Sequence, residues 1–418
     1  MNKKILIHSI VFSPDGVSTA YLYNDVALEF KKSGHEVVVL TTTPHYNVVE
    51  HTLAEQPLKK RYGGLFFESN FHGIKVVHVP QKKFKSALLR VIGFLYWHFL
   101  SFFLALAQKK ISIILSPSPP LTIGFLNILI AKFKGAKVIY NVQEIYPDIL
   151  IKESGKIPLF IKPLKWLEKF IYNHSDAVTT IDDVFYNTIA PRFKHKSKLH
   201  IIPNFVDTDI YKPITSADIK LNLDVFPELN GIIKVMYAGN IGHAQDWEPV
   251  IEVARKMRDQ PVAFFIIGEG VMKPYLQNQI DEHQLNNIYL IEYQQRELMP
   301  KIIAYADIHF IFMKKGMEDQ GFPSKVYTIM ACNKPLLIMA GENTPLTSFL
   351  KPLNCAAIIT SSIFSEKCLQ LQFFLNQVID QPNLLTDMSY NGFKIIQQDY
   401  SKAAVTRQYI NLCEEILK

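Results

Sequence analysis

The sequence predicts an α/β protein built from two doubly wound, Rossmann-like domains. Short apolar runs of strand length alternate with amphipathic helical segments, which is the pattern of parallel sheets covered by helices. The alternation occurs twice, once before residue 205 and again after residue 232, and a polar stretch that begins at Pro203 separates the two sets. A chain of 418 residues is also longer than one typical domain.

The first set begins at the N-terminus with a strand, a turn and a helix. The helix is predicted over Ala20–Ser33, and Gly34 ends it. Its apolar residues Leu22, Val26 and Phe30 share one face. The predicted strands of this set are Lys4–Val11, Glu36–Thr42, Lys75–Val79, Ile111–Leu115, Lys137–Val142, Ala177–Ile181 and Leu199–Ile202.

The second set repeats this pattern and ends in a long helix over Tyr400–Lys418. The segment from Pro203 to about Glu228 has the composition of a linker. The predicted strands of this set are Lys234–Ala238, Ala263–Ile267, Ile288–Ile291, Asp307–Met313, Leu336–Ala340 and Ala356–Thr360.

The composition narrows the classes of function. The net charge of +7 is unevenly distributed, because residues 1–205 carry +12 and residues 206–418 carry −5. We therefore expect the first domain to face an anionic partner. The chain has no arginine cluster and no aromatic–basic ribonucleoprotein motif, which argues against nucleic acid.

The cysteines and the first residues favour a reducing, cytoplasmic setting. Cys332, Cys355, Cys368 and Cys413 form no CxxC pair, which argues against a zinc site and against a disulfide framework. The first segment, MNKKILIHSIVF, becomes polar too quickly for a signal peptide and is predicted to be a strand.

Two segments of the first set predict contact with a membrane surface. Leu88–Ala107 is long enough to span a bilayer, but a span would put the halves of one sheet on opposite sides of it. We expect instead either a buried crossover helix or a helix half-immersed in the interface. Lys156–Tyr172 is amphipathic, and the alternative for this segment is a solvated face with ordinary aromatic packing. The basic and aromatic residues concerned are Lys82, Lys83, Lys85, Arg90, Lys109, Lys110, Phe160, Lys162, Lys165, Trp166, Lys169 and Phe170.

The stretch from Gly321 to Pro335 carries the strongest chemical signal. It follows the predicted strand Asp307–Met313 and starts a helix, so free amides and the helix dipole point at one place. We expect Ser324 to cap this helix, and Lys325 in its first turn adds a positive charge that opposes the dipole. The pattern indicates a diphosphate site; the alternative is an ordinary strand-to-helix turn with a solvated lysine.

The turn Phe12–Thr19 places Gly16 where a ligand could approach the backbone. The GxGxxG fingerprint is absent, so nothing there indicates a nicotinamide or flavin cofactor. The helix that follows could still direct its N-terminus at a phosphate.

Asp182 and Asp183 are expected to cap a helix.

Six motifs in order resemble those of the family 4 retaining glycosyltransferases, which have the GT-B fold. They are FSPDGVSTAYLYNDVALEFKKSGHEVVVLTTTPHYN (12–47), NVQEIYPDIL (141–150), IIPNFVDTDIYKP (201–213), YAGNIGHAQDWEPVIEVA (237–254), IIGEG (266–270) and GFPSKVYTIMACNKPLL (321–337). The chain is most similar to the WcaI/WbuB-like subgroup. Those enzymes build bacterial surface polysaccharides and transfer sugars, often deoxyamino sugars, to lipid-linked acceptors.

The resemblance implies two Rossmann-like domains with a nucleotide-sugar donor in the cleft between them, and a C-terminal crossover helix that returns to the first domain. The acceptor-binding domain would be 1–205 with 398–418, and the nucleotide-sugar-binding domain would be 206–397. This fold is generally metal-independent. We therefore expect no metal or other cofactor, and no metal role for the DxD sequence at Asp207–Asp209.

The resemblance also assigns phosphate-binding residues. Gly16 would let the backbone approach the diphosphate, while Ser324 and Lys325 would hold the phosphates and stabilise the departing nucleotide. The family's arginine and lysine after the first strand of the second domain fall near Asn240 and Gln245. These neutral residues leave Lys325 with more of the phosphate charge to balance.

The sugar and nucleoside residues follow in the same way. The family's Glu-x7-Glu pair falls on Gln320 and Thr328, neither of which is a carboxylate. Gln320 would touch the donor sugar, with Glu318 as a nearby substitute, and Thr328 would hydrogen-bond the ribose. Gly268 belongs to the strand end of the donor site, and the loop that contains Tyr293 commonly meets the nucleobase.

Retaining enzymes of this fold often lack a clear protein nucleophile. The usual proposal is same-face attack by the acceptor, with the leaving phosphate accepting its proton, so that catalysis depends on positioning and electrostatics. His45 and Glu144, in loops after strands of the first domain, are candidates for contact with the acceptor. A structural role is the alternative for each.

These features predict a peripheral enzyme at the inner face of the plasma membrane. It would transfer an amino or deoxyamino hexose from a UDP-sugar to a glycan linked to undecaprenyl diphosphate. One alternative is a UDP-sugar 2-epimerase of the same fold, which needs no membrane face. The other is a catalytically silent subunit of a polysaccharide assembly, which the missing carboxylates at 320 and 328 favour. Fold resemblance alone does not separate these functions.

Overall fold

A computed structural model describes residues 3–48, 50–81, 86–154, 161–318 and 322–418. The chain divides into two compact units, residues 1–204 with 405–418 (unit 1) and residues 205–404 (unit 2). The corresponding boundaries were predicted after residue 205 and before residue 398.

Unit 1 is a nine-stranded sheet, counted over the described residues, in the order β3-β4-β5-β2-β1-β6-β7-β8-β9. Its strands are β1 (Lys4–His8), β2 (Glu36–Thr42), β3 (Lys59–Arg61), β4 (Phe66–Phe71), β5 (Ile74–Val79), β6 (Ile111–Ser118), β7 (Lys137–Val142), β8 (Ala177–Thr180) and β9 (Leu199–Ile201). Its helices are α1 (Ser18–Lys32), α2 (Glu50–Glu55), α3 (Ala87–Ala107), α4 (Leu121–Lys134), α5 (Asp148–Ser154), α6 (Ile161–His174) and α7 (Asp183–Ile189).

All seven strands predicted for the first set are present, and their pairings with one another are parallel. The strands β3 and β4 were not predicted. They pair antiparallel at the edge of the sheet, where Lys59 faces Glu68 and Lys60 faces Phe67. The three residues of β3 are all exposed, so this strand has no apolar alternation from which it could be recognised.

Unit 2 is a six-stranded parallel sheet, again among the described residues, in the order β12-β11-β10-β13-β14-β15. Its strands are β10 (Ile233–Ala238), β11 (Val262–Ile267), β12 (Ile288–Ile291), β13 (Ile308–Phe312), β14 (Leu336–Met339) and β15 (Ala356–Ile359). Its helices are α8 (Glu248–Lys256), α9 (Lys273–His283), α10 (Met299–Tyr305), α11 (Lys325–Ala331), α12 (Pro345–Leu350), α13 (Phe364–Asp380) and α14 (Leu384–Ile395). The order of the strands reverses between β10 and β13, and ligands of such sheets bind beyond the carboxyl ends of the strands at that point.

The last helix, α15 (Lys402–Ile416), belongs to unit 1 from Val405 onward. The hydroxyl of Tyr409 on this helix accepts a hydrogen bond of 3.0 Å from the Asn141 amide at the end of β7. Asn141 also accepts a hydrogen bond from the hydroxyl of Tyr23 on α1. The helix is therefore tied to the carboxyl edge of the unit 1 sheet through buried polar groups.

Candidate functional site

The carboxyl edge of the unit 2 sheet brings two strand ends together at glycines. Gly239 follows β10 and Gly268 follows β11, and Gly268 has a φ of +142°. A Cβ atom at Gly268 would lie 1.9 Å from the carbonyl oxygen of Gly239, which is far inside contact distance. Only glycine fits this backbone conformation and this close approach.

A cavity of about 310 Å³ opens at this edge. Its walls contain three of the residues predicted to bind the donor, namely Asn240, Gly268 and Tyr293. The side chain of Tyr293 is 68% exposed and is available to a ligand. The other lining residues are Ala238, Gly239, Ile267, Glu269, Gln294 and Met299.

Lys325 directs its ammonium at the wall of this cavity. A Cβ atom added to Gly239 would lie 2.5 Å from Nζ of Lys325, so the ammonium sits directly against the backbone that follows β10. Nζ also lies 3.9 Å from the ring centroid of Tyr237, a cation–π contact. The hydroxyl of Tyr237 donates a hydrogen bond of 2.7 Å to the carbonyl of Asn240.

The ammonium of Lys325 has no carboxylate partner in the part of the chain that the structure describes. Burial lowers the pKa of this lysine from 10.5 to about 8. An anion delivered to the cavity would supply the missing counter-charge.

Ser324 does not cap α11, so the prediction of a cap is wrong. Ser324 has helical backbone angles, its side chain makes no capping hydrogen bond and it is exposed. A capping residue needs an extended backbone that turns its side chain back over the first amides. Because Ser324 is exposed, a ligand can reach its side chain.

Two further residues predicted to contact the donor, Thr328 and Glu318, have hydrogen-bond partners within the protein. The hydroxyl of Thr328 donates a hydrogen bond of 2.9 Å to the carbonyl of Lys325. Oε1 of Glu318 accepts a hydrogen bond of 2.7 Å from the amide of Gly341, so this carboxylate fastens the loop after β13 to the end of β14. Gln320 lies outside the described residues.

Gln245 supports the turn after β10 and is absent from the cavity wall. Its Oε1 accepts a hydrogen bond of 3.1 Å from the amide of Gly242. Gln245 also pairs with Met313 in an isolated bridge that links this turn to the end of β13. Its observed contacts are structural.

At the carboxyl edge of unit 1, Asp15 joins the loops that follow β1 and β2. Its Oδ1 accepts hydrogen bonds from the amides of His45 (2.9 Å) and Tyr46 (2.8 Å). The amide of Gly16 donates to the carbonyls of Tyr46 and Asn47, so this amide is already engaged. The role of Asp15 was not predicted, because both of its amide partners lie about 30 positions away in sequence.

His45 is held in one orientation in this loop. Its Nδ1 lies 2.8 Å from the carbonyl of Thr43, and a carbonyl accepts only, so Nδ1 carries a hydrogen. In the neutral ring, Nε2 is then a hydrogen-bond acceptor. Burial raises the pKa of Asp15, and its second oxygen, Oδ2, is buried with no hydrogen-bond partner among the described residues.

Glu144 lies two residues after β7 and is half-buried, and its backbone carbonyl is 3.4 Å from the hydroxyl of Ser118.

Asp182 accepts a hydrogen bond from the amide of Phe185 and caps α7, as predicted. The carboxylate of Asp207, in the DxD sequence, pairs with Lys402. Asp207 therefore has a structural role in unit 2.

Comparison with known proteins covers both halves of the chain. Residues 20–210 match the family profile described as Glycosyltransferase Family 4. Residues 225–394 match the profile described as Glycosyl transferases group 1.

Two curated bacterial proteins are similar in sequence. WcaI of Escherichia coli (strain K12), named as a colanic acid biosynthesis glycosyl transferase, is 26% identical over 421 residues, which cover 98% of this chain and 99% of WcaI. WbjE of Pseudomonas aeruginosa, named as a glycosyltransferase, is 22% identical over 247 residues, which cover 58% of this chain and 60% of WbjE.

Solved structures share the fold at low sequence identity. Anabaena HepE, solved in complex with UDP, superposes with a TM-score of 0.71 at 13% identity, over 99% of this chain and 100% of that one. A glycosyltransferase from Rickettsia africae ESF-5 superposes with a TM-score of 0.73 at 13% identity, over 100% of this chain and 99% of that one. The two family profiles and the relative that matches along its whole length agree, and this chain belongs to the family 4 glycosyltransferases with the GT-B fold, of the WcaI type.

Proposed function

We propose that the protein is a retaining glycosyltransferase that uses a UDP-sugar. The observation that carries the proposal is the cavity at the carboxyl edge of β10 and β11. The ammonium of Lys325 lies against its wall and has no carboxylate partner among the described residues. HepE, solved with UDP and with UDP-glucose, supports the choice of nucleotide. The sugar would be an amino or deoxyamino hexose.

The acceptor would be a glycan linked to undecaprenyl diphosphate at the inner face of the plasma membrane. The name of WcaI, a colanic acid biosynthesis glycosyl transferase, supports a place in the synthesis of bacterial surface polysaccharide, such as O-antigen, capsule or exopolysaccharide. His45 and Glu144 follow strands at the carboxyl edge of unit 1 and would contact the acceptor.

In this mechanism the bond between the anomeric carbon and the β-phosphate oxygen breaks as the acceptor oxygen attacks from the same face. The proton of the acceptor hydroxyl goes to the departing phosphate. Lys325 would neutralise the charge that grows on that phosphate, and with a pKa of about 8 it is largely protonated at pH 7. The hydroxyl of Ser324, which is an exposed residue, would donate to the same phosphate.

Thr328 favours a second candidate, a catalytically silent subunit of a polysaccharide assembly. The family's ribose-binding carboxylate is replaced by a hydroxyl whose proton is already bonded to the carbonyl of Lys325. Such a subunit would bind nucleotide weakly and would not turn over.

The first test is a thermal-shift screen of the wild type with UDP, GDP, ADP and dTDP and their common sugars. A ligand that binds only the folded state must raise the melting temperature. We expect a rise with UDP compounds that Lys325→Ala removes, whereas Lys351→Ala, at a surface lysine of the same unit, keeps it. No shift with any nucleotide would contradict the proposal and favour the silent subunit.

A turnover assay distinguishes the glycosyltransferase from the 2-epimerase. The UDP-sugar that gives the largest shift is incubated with a synthetic polyprenyl-diphosphate-linked sugar, and the product is analysed by NMR. A new glycosidic bond with the donor's anomeric configuration supports the proposal, and Lys325→Ala should reduce its rate strongly with the fold intact. Inversion at C2 of the sugar without transfer would identify the 2-epimerase.

A further inference from the structure

The helix α3 of unit 1 presents a long apolar face to solvent. One side of it packs into the core, where Trp97 is 1% exposed and Ala105 is fully buried. On its opposite side Leu88 is 69% exposed, Leu95 61% and Phe99 66%. The other exposed apolar residues of this helix are Leu89, Val91, Ile92, Tyr96 and Phe103.

This helix lies along the sheet and does not cross a bilayer. Its segment Leu88–Ala107 has the length and apolar composition of a membrane span, with a mean hydropathy of 1.6. However, α3 connects β5 to β6, and both strands belong to one continuous sheet. With Trp97 fixed in the core of that unit, the helix could enter a membrane only sideways, by its exposed face.

The apolar face continues over the two neighbouring helices. Phe133 at the end of α4 is 71% exposed and touches Phe102 of α3, with ring centroids 6.1 Å apart. Trp166 on α6 is 63% exposed and stacks on Phe170 at 5.5 Å. Phe133, Trp166 and the exposed apolar residues of α3 together form the apolar face of unit 1.

Positive charge predominates around this face, although the Lys165 ammonium lies 4.0 Å from a carboxylate oxygen of Asp148 on α5. The sequences of α3 and α4 contain no Asp or Glu, and the single acid of α6, Glu168, is buried and paired with Arg192. The exposed cations on these helices and on the turn after α3 are Arg90, Lys109, Lys110, Lys132, Lys162, Lys165 and Lys169. Lys82, Lys83 and Lys85, which the sequence analysis included in the basic flank, and residues 155–160 lie outside the described residues.

We propose that the apolar face lies flat in the interfacial region of an anionic bilayer, with the lysines on the lipid phosphates. Apolar residues framed mainly by lysines match a surface that is negative outside and apolar beneath. A second copy of this chain fits less well, because a symmetric contact would oppose like charges. The choice of the inner leaflet rests on the proposed function; the lipid contact itself does not.

This placement has a consequence for the reaction. The helices α3, α4 and α6 each begin after the carboxyl end of one parallel strand and finish before the amino end of the next. The end of the apolar face that contains Leu88 therefore lies toward the sheet edge that carries His45 and Glu144. An acceptor anchored in the bilayer would extend its glycan toward those loops.

The test uses the full chain and vesicles of phosphatidylglycerol with phosphatidylethanolamine, compared with phosphatidylcholine alone. The variant Leu95→Gln/Phe99→Gln removes the centre of the face. Its matched control is Leu369→Gln/Phe373→Gln on α13, since these residues have the same i, i+4 spacing and are 61% and 65% exposed. We expect the first variant to lower partition onto anionic vesicles at least about tenfold and the control to leave it unchanged.

The charge is tested separately with Lys109→Glu/Lys132→Glu and the control Lys220→Glu/Lys394→Glu, all exposed lysines. Only the first pair should weaken binding to anionic vesicles. Trp166 reports the contact directly, because Trp97 and Trp247 are buried. Its emission should shift to the blue on binding and be quenched by brominated lipids, and Trp166→Phe should abolish both signals.

Failure to bind anionic vesicles would overturn the inference, as would equal losses in the variants and their controls. A dimer that Leu95→Gln/Phe99→Gln dissociates would assign the face to a second copy instead. The thermal shift with UDP is measured on every variant. A variant that loses vesicles but keeps UDP leaves the donor site intact, so the two proposals stand or fall independently.

Discussion

Replacing Lys325 by methionine should stabilise the free protein and abolish its binding of UDP. Methionine fills a similar volume without a charge. In the unliganded protein the ammonium is held against the Gly239 backbone without a carboxylate among the described residues. A residue kept for a ligand at the expense of stability is expected at a binding site.

The size of the expected gain in stability follows from the lowered pKa of Lys325. Lowering it from 10.5 to about 8 corresponds to about 3 kcal/mol against the charged form in the folded state. The side chain is half-buried, so solvent screening reduces this figure. Methionine also loses the cation–π contact with Tyr237, and this loss reduces the expected gain in stability by about 1 kcal/mol more. A net gain of about 1–2 kcal/mol remains, or roughly 2–8 °C in the melting temperature of a unit of this size.

The pH dependence has a definite sign. Between pH 8 and 10.5 the unfolded chain keeps the Lys325 proton and the folded chain has lost it, so stability rises with pH in that window. The stability of Lys325→Met should therefore exceed that of the wild type by the full amount below pH 8, and this difference should vanish toward pH 10.5. A bound diphosphate favours the charged lysine, so UDP affinity of the wild type should fall as the pH rises above 8.

Scanning calorimetry at pH 7 and pH 10 measures the stability, and titration calorimetry measures UDP binding and the protons taken up with it. Lys351→Met, at an exposed lysine of the same unit, is the control and should change neither quantity. A Lys325→Met variant that melts below the wild type and binds UDP normally would refute the reasoning, because the lysine would then be a structural residue.

Three further substitutions test other parts of the structure. Gly268→Ala should weaken UDP binding at least about tenfold, because its Cβ would meet the neighbouring strand end at 1.9 Å, whereas Gly231→Ala has a φ of +73° with no atom within 4 Å and should bind UDP normally in titration calorimetry. Arg192→Met should lower the free energy of unfolding by about 3–5 kcal/mol at pH 8, because it removes the cation that pairs with the buried Glu168 and with Asp148. The loss should be smaller at pH 5 in urea denaturation, since burial raises the Glu168 pKa to about 7 and the neutral acid needs no partner. Asp15→Ala removes two hydrogen bonds to backbone amides and should speed hydrogen exchange in residues 45–46 without altering UDP binding; unchanged exchange would contradict its anchoring role.

The hydrophobic pattern was sufficient to predict most of the fold. Buried parallel strands are continuous apolar runs, so Glu36–Thr42, Lys137–Val142 and Ile288–Ile291 were predicted with the bounds that the structure shows. The strands β3 and β4 were missed, because pairing at a sheet edge leaves little apolar periodicity in a short segment.

The candidate site was predicted in part. Asn240, Gly268 and Tyr293 line one cavity, and the ammonium of Lys325 lies against its wall. Ser324 failed as a cap because whether a residue before a helix caps it depends on its backbone angles. Tyr237 was missed because its role comes from its ring lying under a lysine 88 positions further along the chain.

The sequence alone determined the α/β class, the two sets of strands and the family, and it singled out Lys325 as a candidate, since each depends on residues close together along the chain. The tertiary structure decided which face of α3 is exposed, why the pKa of Lys325 is lowered and how Asp15 joins two loops. These properties arise from contacts between residues far apart in sequence. Periodicity within one segment cannot specify which partner, or how much solvent, each residue will meet.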